Sequence, residues 1–449
     1  MYQLPLEYNT TGLSDDEYLN LFKNVFGYGL INVRRAIEPG ASVYYYDGTT
    51  NNIVSTKGTI NRYWGTTARA SSVLSLTGHG AIRTSFYDVL ESNDGTLSLP
   101  RVWNSTIAMD DESRHGLYMG DVLGEFSVDS VNKRTNKIGN LTIDMAMSSR
   151  AYNDDMNGLD NMRVAWGNDS FDLATEYQHY LTNGESRFNG RSNGLLNLVS
   201  DSISVDAMYK YGNFAFGGSA FVGAITDENL LDKDPVVSSQ FEPGRLGFAN
   251  GGAIDAKYNN DKFDLNMSFG VMHENNTVLG MMSDGVLALN GADTKYIDAV
   301  ATYKPVENVK LSLRGTYAIT DAVADGLLIS DMSNIKSNSF AFGVDVGGFS
   351  FTAAMPLAVV DGKMDYGYAD FEVVENDGKY EIVANNMHTE HLDLSAVKRE
   401  LRFTTTYKKP LGEWTDAGVG FIYRVNPNNT DAFGNESIFM FKVHHSLGI

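Results

Sequence analysis

The sequence predicts a mainly β fold, an antiparallel barrel of about twelve strands, and three observations carry that reading. From about residue 160 onward, runs of about ten residues alternate apolar with small or polar side chains, the period-two signature of strands with one greasy and one wet face. The connections between the runs are alternately short and long. Gly (44 of 449), Tyr (24) and Phe (23) are enriched together while Pro is scarce (9), a composition that favours strands over helices or disordered coil.

Length and charge narrow the possibilities further. A chain of 449 residues exceeds the ~150 of one typical domain, so more than one unit is expected. It carries 35 Lys+Arg against 56 Asp+Glu, a net charge of -21, which argues against a nucleic-acid partner bound through phosphate contacts. With no Cys there is no disulfide framework, no Cys-based zinc site and no thiol nucleophile, and the redox compartment stays open. No apolar run approaches the ~18 residues of a membrane-spanning helix, but a membrane β-barrel gives only a weak hydropathy signal. The start, MYQLPLEYNTTG, has neither a basic n-region nor an apolar h-region, so it does not read as a secretory signal. Either the protein stays in the cell, or the chain is the downstream part of a longer precursor.

Residues 1–40 read as helical. Ser14 and Glu17 form a capping box that opens a helix to about Lys23. Leu30, Val33 and Ile37 then give a second, amphipathic helix, entered through Gly27-Tyr28-Gly29 and stopped at Pro39. Residues 41–160 read as a β-rich connector. Ser42 to Tyr46 ends in the turn signal Asp47-Gly48, Ala81 to Val89 is strand-like, and Leu141 to Met147 alternates strictly.

Several residues invite a chemical role, and the bland reading wins for each. His79 sits between Gly78 and Gly80 with no second ligand at a fixed spacing, as in a turn. His388 and His391 are three apart in a segment read as loop, whereas zinc proteases place His at i and i+4 on a helix. Asp227, Glu228, Asp232 and Asp234 match no EF-hand spacing and read as a charged loop. No catalytic, cofactor-binding or metal residue is assigned, and no cofactor is expected.

Residues 161–449 carry the repeat. Ile203, Val205, Ala207, Tyr209 and Tyr211 alternate with Ser204, Asp206, Met208 and Lys210; after Gly212-Asn213, Phe214, Phe216, Ala220 and Val222 do the same. The pattern returns through Phe263 to Val271, Val309 to Tyr317, Phe340 to Val346, Phe349 to Leu357, Leu401 to Tyr407, Ala417 to Val425 and the last residues. Eleven strands are clear from Ile203 on, with candidates at Met162 to Trp166 and Phe171 to Tyr180. In a soluble sandwich the greasy faces would meet in a core; in an outer-membrane barrel they face lipid and polar residues line the lumen. Strand length near the ~9 to 11 residues of a tilted bilayer crossing favours the barrel. So do tyrosines at run ends (Tyr209, Tyr211, Tyr258, Tyr303, Tyr317, Tyr407, Tyr423) and charges on the wet faces. Short turns also alternate with long acidic loops at about 226–250, 274–293, 320–336, 360–396 and 426–436. A porin-like channel and a soluble β-sandwich binding protein are the alternatives.

Two stretches carry family resemblances. Phe26-Gly27-Tyr28-Gly29-Leu30-Ile31-Asn32 with Ala36 and Pro39 resembles the last helix of subtilisin-like serine peptidases. That family's G-T-S-x-A nucleophile motif and its Asp and His lie upstream; Gly65-Thr66-Thr67-Ala68 has Thr for the Ser and follows the closing helix, so no catalytic residue is carried over. Phe351 to Leu357 with Val359, then His391 to Leu394, Arg399-Glu400-Leu401, Tyr407 to Gly412 and Phe421 to Arg424, resemble in order the translocator domain of autotransporters. The chain ends in Ile449 where Phe or Trp is usual. Together the resemblances imply the C-terminal part of a subtilisin-type autotransporter: an outer-membrane, cell-surface anchor in a Gram-negative bacterium. Its implied partners are outer-membrane lipid, its own upstream passenger and the barrel-assembly machinery.

Overall fold

The computed structural model describes residues 42–47, 52–56, 68–69, 73–74, 82–91, 97–107, 132–149, 157–179, 195–199, 201–225, 247–283, 288–324, 329–376, 379–412, 415–429 and 434–445. The two helices expected before Pro39, His79 and the acidic run from Asp227 to Asp234 lie outside them. Five strands come first: β1 (Ser42–Asp47), β2 (Asn52–Thr56), β3 (Ala68–Arg69), β4 (Ile82–Glu91) and β5 (Leu97–Ile107). Four of them make an antiparallel sheet in the order β2-β1-β4-β5.

The main sheet follows. β6 (Asn132–Ile138), β7 (Leu141–Ser149), β8 (Asn157–Gly167), β9 (Phe171–His179), β10 (Asp201–Tyr211), β11 (Phe214–Ala224), β12 (Phe248–Asn259) and β13 (Phe263–Asn275) are its first strands. After the short β14 (Met282–Ser283) come β15 (Leu289–Val306) and β16 (Val309–Ala324). Past β17 (Ile329–Met332) lie β18 (Ile335–Val346) and β19 (Phe349–Asp361). Past β20 (Lys363–Asn376) and β21 (Lys379–Asp393) the sheet finishes with β22 (Leu401–Gly412), β23 (Thr415–Val425) and β24 (Glu436–His445). It is a fifteen-stranded antiparallel meander in which every strand pairs with its neighbour in the chain, the inserted β14, β17, β20 and β21 aside. Such a meander is the wall of an up-and-down barrel.

Eleven strands from Asp201 on match the eleven read from the repeat, and both candidates before it are strands as well. The total is fifteen, against about twelve expected, because β6 and β7 also join. β6 reads Asn-Lys-Arg-Thr-Asn-Lys-Ile, so it has no apolar alternation to find. β7 is the strictly alternating run placed in the connector. With fifteen strands of alternating direction, β6 and β24 run the same way, and no pairing joins them among the described residues. Antiparallel closure therefore takes one further strand.

The segment 360–396, expected to be an acidic loop, is largely a hairpin. β20 and β21 pair along their length, and β17 adds a third strand. At its start buried Met364 and Tyr366 alternate with Lys363, Asp365 and Gly367, a run too short to stand out as a strand within an acidic stretch.

One rim of the main sheet is made of tight turns and the opposite rim of long connections. Gly212 at φ 57 and Gly347 at φ 55 occupy left-handed positions that two-residue hairpins require. In two others an Asn closes the turn: the Asn168 Oδ1 accepts from Ser170 N–H (2.9 Å) and Phe171 N–H (2.8 Å), and Asn260 Oδ1 accepts from Lys262 N–H (2.9 Å) and Phe263 N–H (2.7 Å).

Glycine also serves packing on the inward face. A Cβ at Gly270 would run into the Tyr296 ring, and one at Gly251 into the Phe221 ring. These missing side chains let large aromatics lie flat across the neighbouring strand. Gly270→Val is expected to lower stability by ~1 to 3 kcal/mol through overpacking. In a Tyr296→Ala background the same change should cost much less; urea unfolding of the four proteins in micelles checks the cycle.

Candidate functional site

The two faces of the sheet are inverted relative to a water-soluble protein. Ile203 (54%), Ile254 (72%), Phe269 (53%) and Phe439 (71%) are exposed, whereas their inward neighbours Ser204 (4%), Asp255 (2%) and Ser268 (5%) are buried. The period-two pattern thus puts apolar side chains outside and polar ones inside, which in water would forfeit the hydrophobic contribution to folding.

Near the turn rim the outward face is aromatic. Trp166, Tyr209, Tyr211, Phe214, Phe216, Tyr303, Phe349 and Tyr407 are all exposed. Phe214 and Tyr258 pack with ring centroids 4.9 Å apart, and Tyr258 reaches Phe263 at 6.4 Å. Tyr317 and Tyr423 sit farther from this rim, opposite Ile297 and Phe403 respectively. Along β10, Ile203 to Tyr211 spans about 27 Å at ~3.4 Å per residue, or about 20 Å of height at a barrel tilt of ~40°.

The inward face has three tiers. At the turn rim it carries charge, as in the Lys210 Nζ to Asp172 Oδ1 pair at 2.7 Å. The middle tier is a belt in which carboxylates alternate with hydroxyls: Asp206 faces Ser219, Asp255 faces Ser268, Ser268 faces Asp298, and Asp298 faces Thr316. Ser268 donates to Asp255, and Thr316 Oγ1 donates to Asp298 Oδ1 at 2.7 Å. Arg163 Nη1 lies 3.2 Å from Glu176 Oε2 and 3.6 Å from Asp206 Oδ1. Short hydroxyl side chains on the adjacent strand help to satisfy these buried carboxylates.

Towards the loop rim the inward face of β11 to β19 gains large apolar side chains, interleaved with the buried polar residues Glu274, Thr294, Thr320 and Ser337. Phe221, Met272, Tyr296, Ile335 and Leu357 share one buried cluster with Leu195 and Leu196 from the β9–β10 connection and with Val278, Leu279 and Met281 from the β13–β15 connection. Glu274 holds the latter connection in place: its carboxylate accepts from Thr277 Oγ1 (3.1 Å), Leu279 N–H (2.9 Å) and Gly280 N–H (2.9 Å). Val73 and Leu74, from far upstream, complete the cluster.

Arg399, in the connection from β21 to β22, repairs a fault in the wall. β18 and β19 slip register at Asn338, and the Arg399 guanidinium donates there to Asn338 Oδ1 (3.0 Å), Asn338 O (3.1 Å) and Pro356 O (2.9 Å). Burial draws its pKa below the ordinary guanidinium value. Next to it, Glu400 and Arg424 form a bidentate pair, 2% and 1% exposed, with Nε to Oε1 at 2.6 Å and Nη2 to Oε2 at 2.7 Å. Arg402 Nε reaches the same Oε1 at 3.2 Å, and Glu436 Oε2 accepts from Arg424 Nη1 at 3.1 Å. The network ties β22, β23 and β24 together.

Of the residues that drew notice in the sequence, His388 and His391 lie in β21 and not in a loop. His391 Nδ1 is 2.6 Å from Asp365 Oδ1, and the Tyr366 hydroxyl donates to Glu390 Oε2 at 2.7 Å. Among the described residues, no three His, Asp or Glu gather as metal ligands. Gly65 to Thr67 are outside the described residues and Ala68 is in β3. The buried pair was present in the sequence only as two letters of a family pattern, and Val73-Leu74 as an unremarked apolar dipeptide.

No protein-family model matches the sequence, and no curated protein matches it. Among solved structures, the chain is similar to OmpT, an outer membrane protein of Vibrio cholerae, at 9% identity over 82% of this chain and 95% of that one, with a TM-score of 0.37. It is similar to an anion-selective porin from Comamonas acidovorans at 13% identity over 82% and 96%, again with a TM-score of 0.37.

Removing one partner of the buried pair, as in Glu400→Gln or Arg424→Met, should cost ~3 to 5 kcal/mol because the other charge is stranded. The double variant Glu400→Leu/Arg424→Met should recover most of that loss. Denaturant unfolding midpoints of the three variants against the parent check this.

Proposed function

We propose that this chain is the outer-membrane anchor and translocator of a subtilisin-type serine peptidase autotransporter. The observation that carries the membrane part is the inverted sheet: apolar side chains outside, a hydroxyl and carboxylate belt inside. A lipid bilayer is the solvent that favours this arrangement, and an antiparallel wall keeps backbone polar groups paired within it. The outward aromatic belt at the turn rim fits an interfacial girdle on the periplasmic side.

Two further observations favour a translocator. Among the described strands of the sheet β6 is the first, and it starts at the loop rim and runs to the tight turn at Gly139; outer-membrane barrels turn the loop rim to the exterior. The upstream sheet lies at that rim too, with β4 and β1 against β20, and β5 against β21. The second is that Glu400 and Arg424, separate elements of the autotransporter resemblance, meet in the buried pair. The peptidase Asp, His and Ser belong, on this reading, to sequence upstream of this chain, and residues 1–40 are the end of the peptidase domain. The charged inward face also favours a porin-like channel as a second reading.

Ile254→Arg separates a membrane wall from a soluble sheet. At a 72% exposed site in water it would be near neutral, whereas facing lipid it should cost ~2 to 4 kcal/mol. Reversible unfolding in vesicles measures the difference; an unchanged midpoint would count against the membrane. For the translocator, an epitope tag joined ahead of Met1 should be stained on intact cells and removed by added protease. Protection of the tag while the barrel is inserted would leave the channel reading standing instead.

A further inference from the structure

We propose that the outward wall at the loop ends of β15 and β16 seats one lipid headgroup, a phosphoethanolamine, with its phosphate at Lys295 and its ammonium between Asp293 and Asp321. This rests on the membrane-barrel reading above and adds a lipid that the wall selects. The outward positions of β10 from Ile203 to Tyr211, and of β11 from Phe214 to Val222, carry no charge. On β15 and β16 the outward face does: Asp293, Lys295 and Asp321 are all exposed.

The register stacks these residues in a definite order. Asp293 stands directly opposite Asp321; two residues nearer the turn rim Lys295 stands between Val271 and Ile319, and two further on Ile297 faces Tyr317. Towards the loop rim the wall therefore reads apolar, then cationic, then anionic. A phospholipid with an ethanolamine headgroup reads acyl chain, phosphate, ammonium in the same direction, so each tier meets its complement. The step from Lys295 to Asp293 is two residues, about 5 Å of height at ~3.4 Å per residue and a tilt of ~40°. A phosphate and an ammonium joined by an ethylene linker can reach both.

The charges that would bind it are those left over. On the same face His273 Nδ1 lies 2.8 Å from Asp293 Oδ1 and Lys336 Nζ lies 2.6 Å from Asp361 Oδ2, whereas Lys295 and Asp321 have no ion-pair partner among the described residues. Two aspartates directly opposite each other repel, and a cation between them relieves that. A primary ammonium brings N–H donors to the carboxylates, where a quaternary one brings none. Lys295, in an apolar row, keeps its stem on the wall and its head at the polar boundary, where a lipid phosphate lies.

Native mass spectrometry of the full chain tests this, after titration in micelles with phosphatidylethanolamine, phosphatidylcholine or phosphatidylglycerol; co-flotation on phosphatidylcholine vesicles is run on the same preparation. The parent should float and bind phosphatidylethanolamine about fivefold or more tighter than either other lipid, the yield of charge-assisted bonds at a water-exposed boundary. Lys295→Gln/Asp321→Asn should float too, because both sites are exposed, and should bring the three lipids to about equal affinity. The exchange Lys295→Asp/Asp321→Lys keeps the net charge but sets an anion at the phosphate and a cation at the ammonium, so it should also abolish the preference. A preference that survives the exchange would overturn the seat alone, as would a parent that binds phosphatidylethanolamine no better than either other lipid. A parent that fails to float would overturn the membrane reading and the seat with it.

Discussion

The constraint on which the rest depends is that backbone N–H and C=O groups in a lipid-facing wall must be paired within the wall. Long antiparallel ladders meet it along each strand, and the devices at the irregular places meet it where the ladder fails. Asn168 and Asn260 close turns with side-chain oxygens. At the register slip of β18 and β19, Arg399 brings its guanidinium to carbonyls that have lost their ladder donors. The same constraint singles out β6 and β24, whose outer edges have no partner among the described residues, and whose common direction asks for one more strand between them.

With the outside given over to apolar side chains, internal packing has to be built from a mixed set. In the middle belt Asp255 accepts from Ser268 and Ser219 and Asp298 from Thr316, while Asp206 lies beside Arg163. The loop-rim cluster relies on glycine: Gly251 and Gly270 leave room for Phe221 and Tyr296 to lie across adjacent strands. Between β22 and β24 the packing is ionic, with Glu400 holding Arg424 and Arg402. Three chemistries thus hold one sheet: hydroxyls on carboxylates in the middle, and at the loop rim aromatics over glycines on β11 to β15 and ion pairs on β22 to β24.

Particular strands show how far the sequence could be read. The runs from Ile203 to Tyr211 and from Phe214 to Val222 alternate with large contrast, and both their boundaries and their faces were legible. β6 was not, because a strand whose two faces are both polar carries no period-two signal. β20 and β21 were hidden because their alternation is short and broken by acidic and amide residues. The Glu400 and Arg424 contact was invisible to local pattern, since the two are brought together by the register of β22 on β23, where Arg402 stands opposite Arg424.

By itself the sequence determined the antiparallel β class, the greasy and wet faces of each long run, and the alternation of short turns with long connections. These follow from the geometry of an isolated strand, whose side chains alternate whatever surrounds it. Only the tertiary structure decided that the greasy face points outward, that fifteen strands share one sheet, and that Val73 and Leu74 reach the lumen mouth. Those outcomes depend on contacts between residues tens to hundreds of positions apart, and on which solvent each face meets.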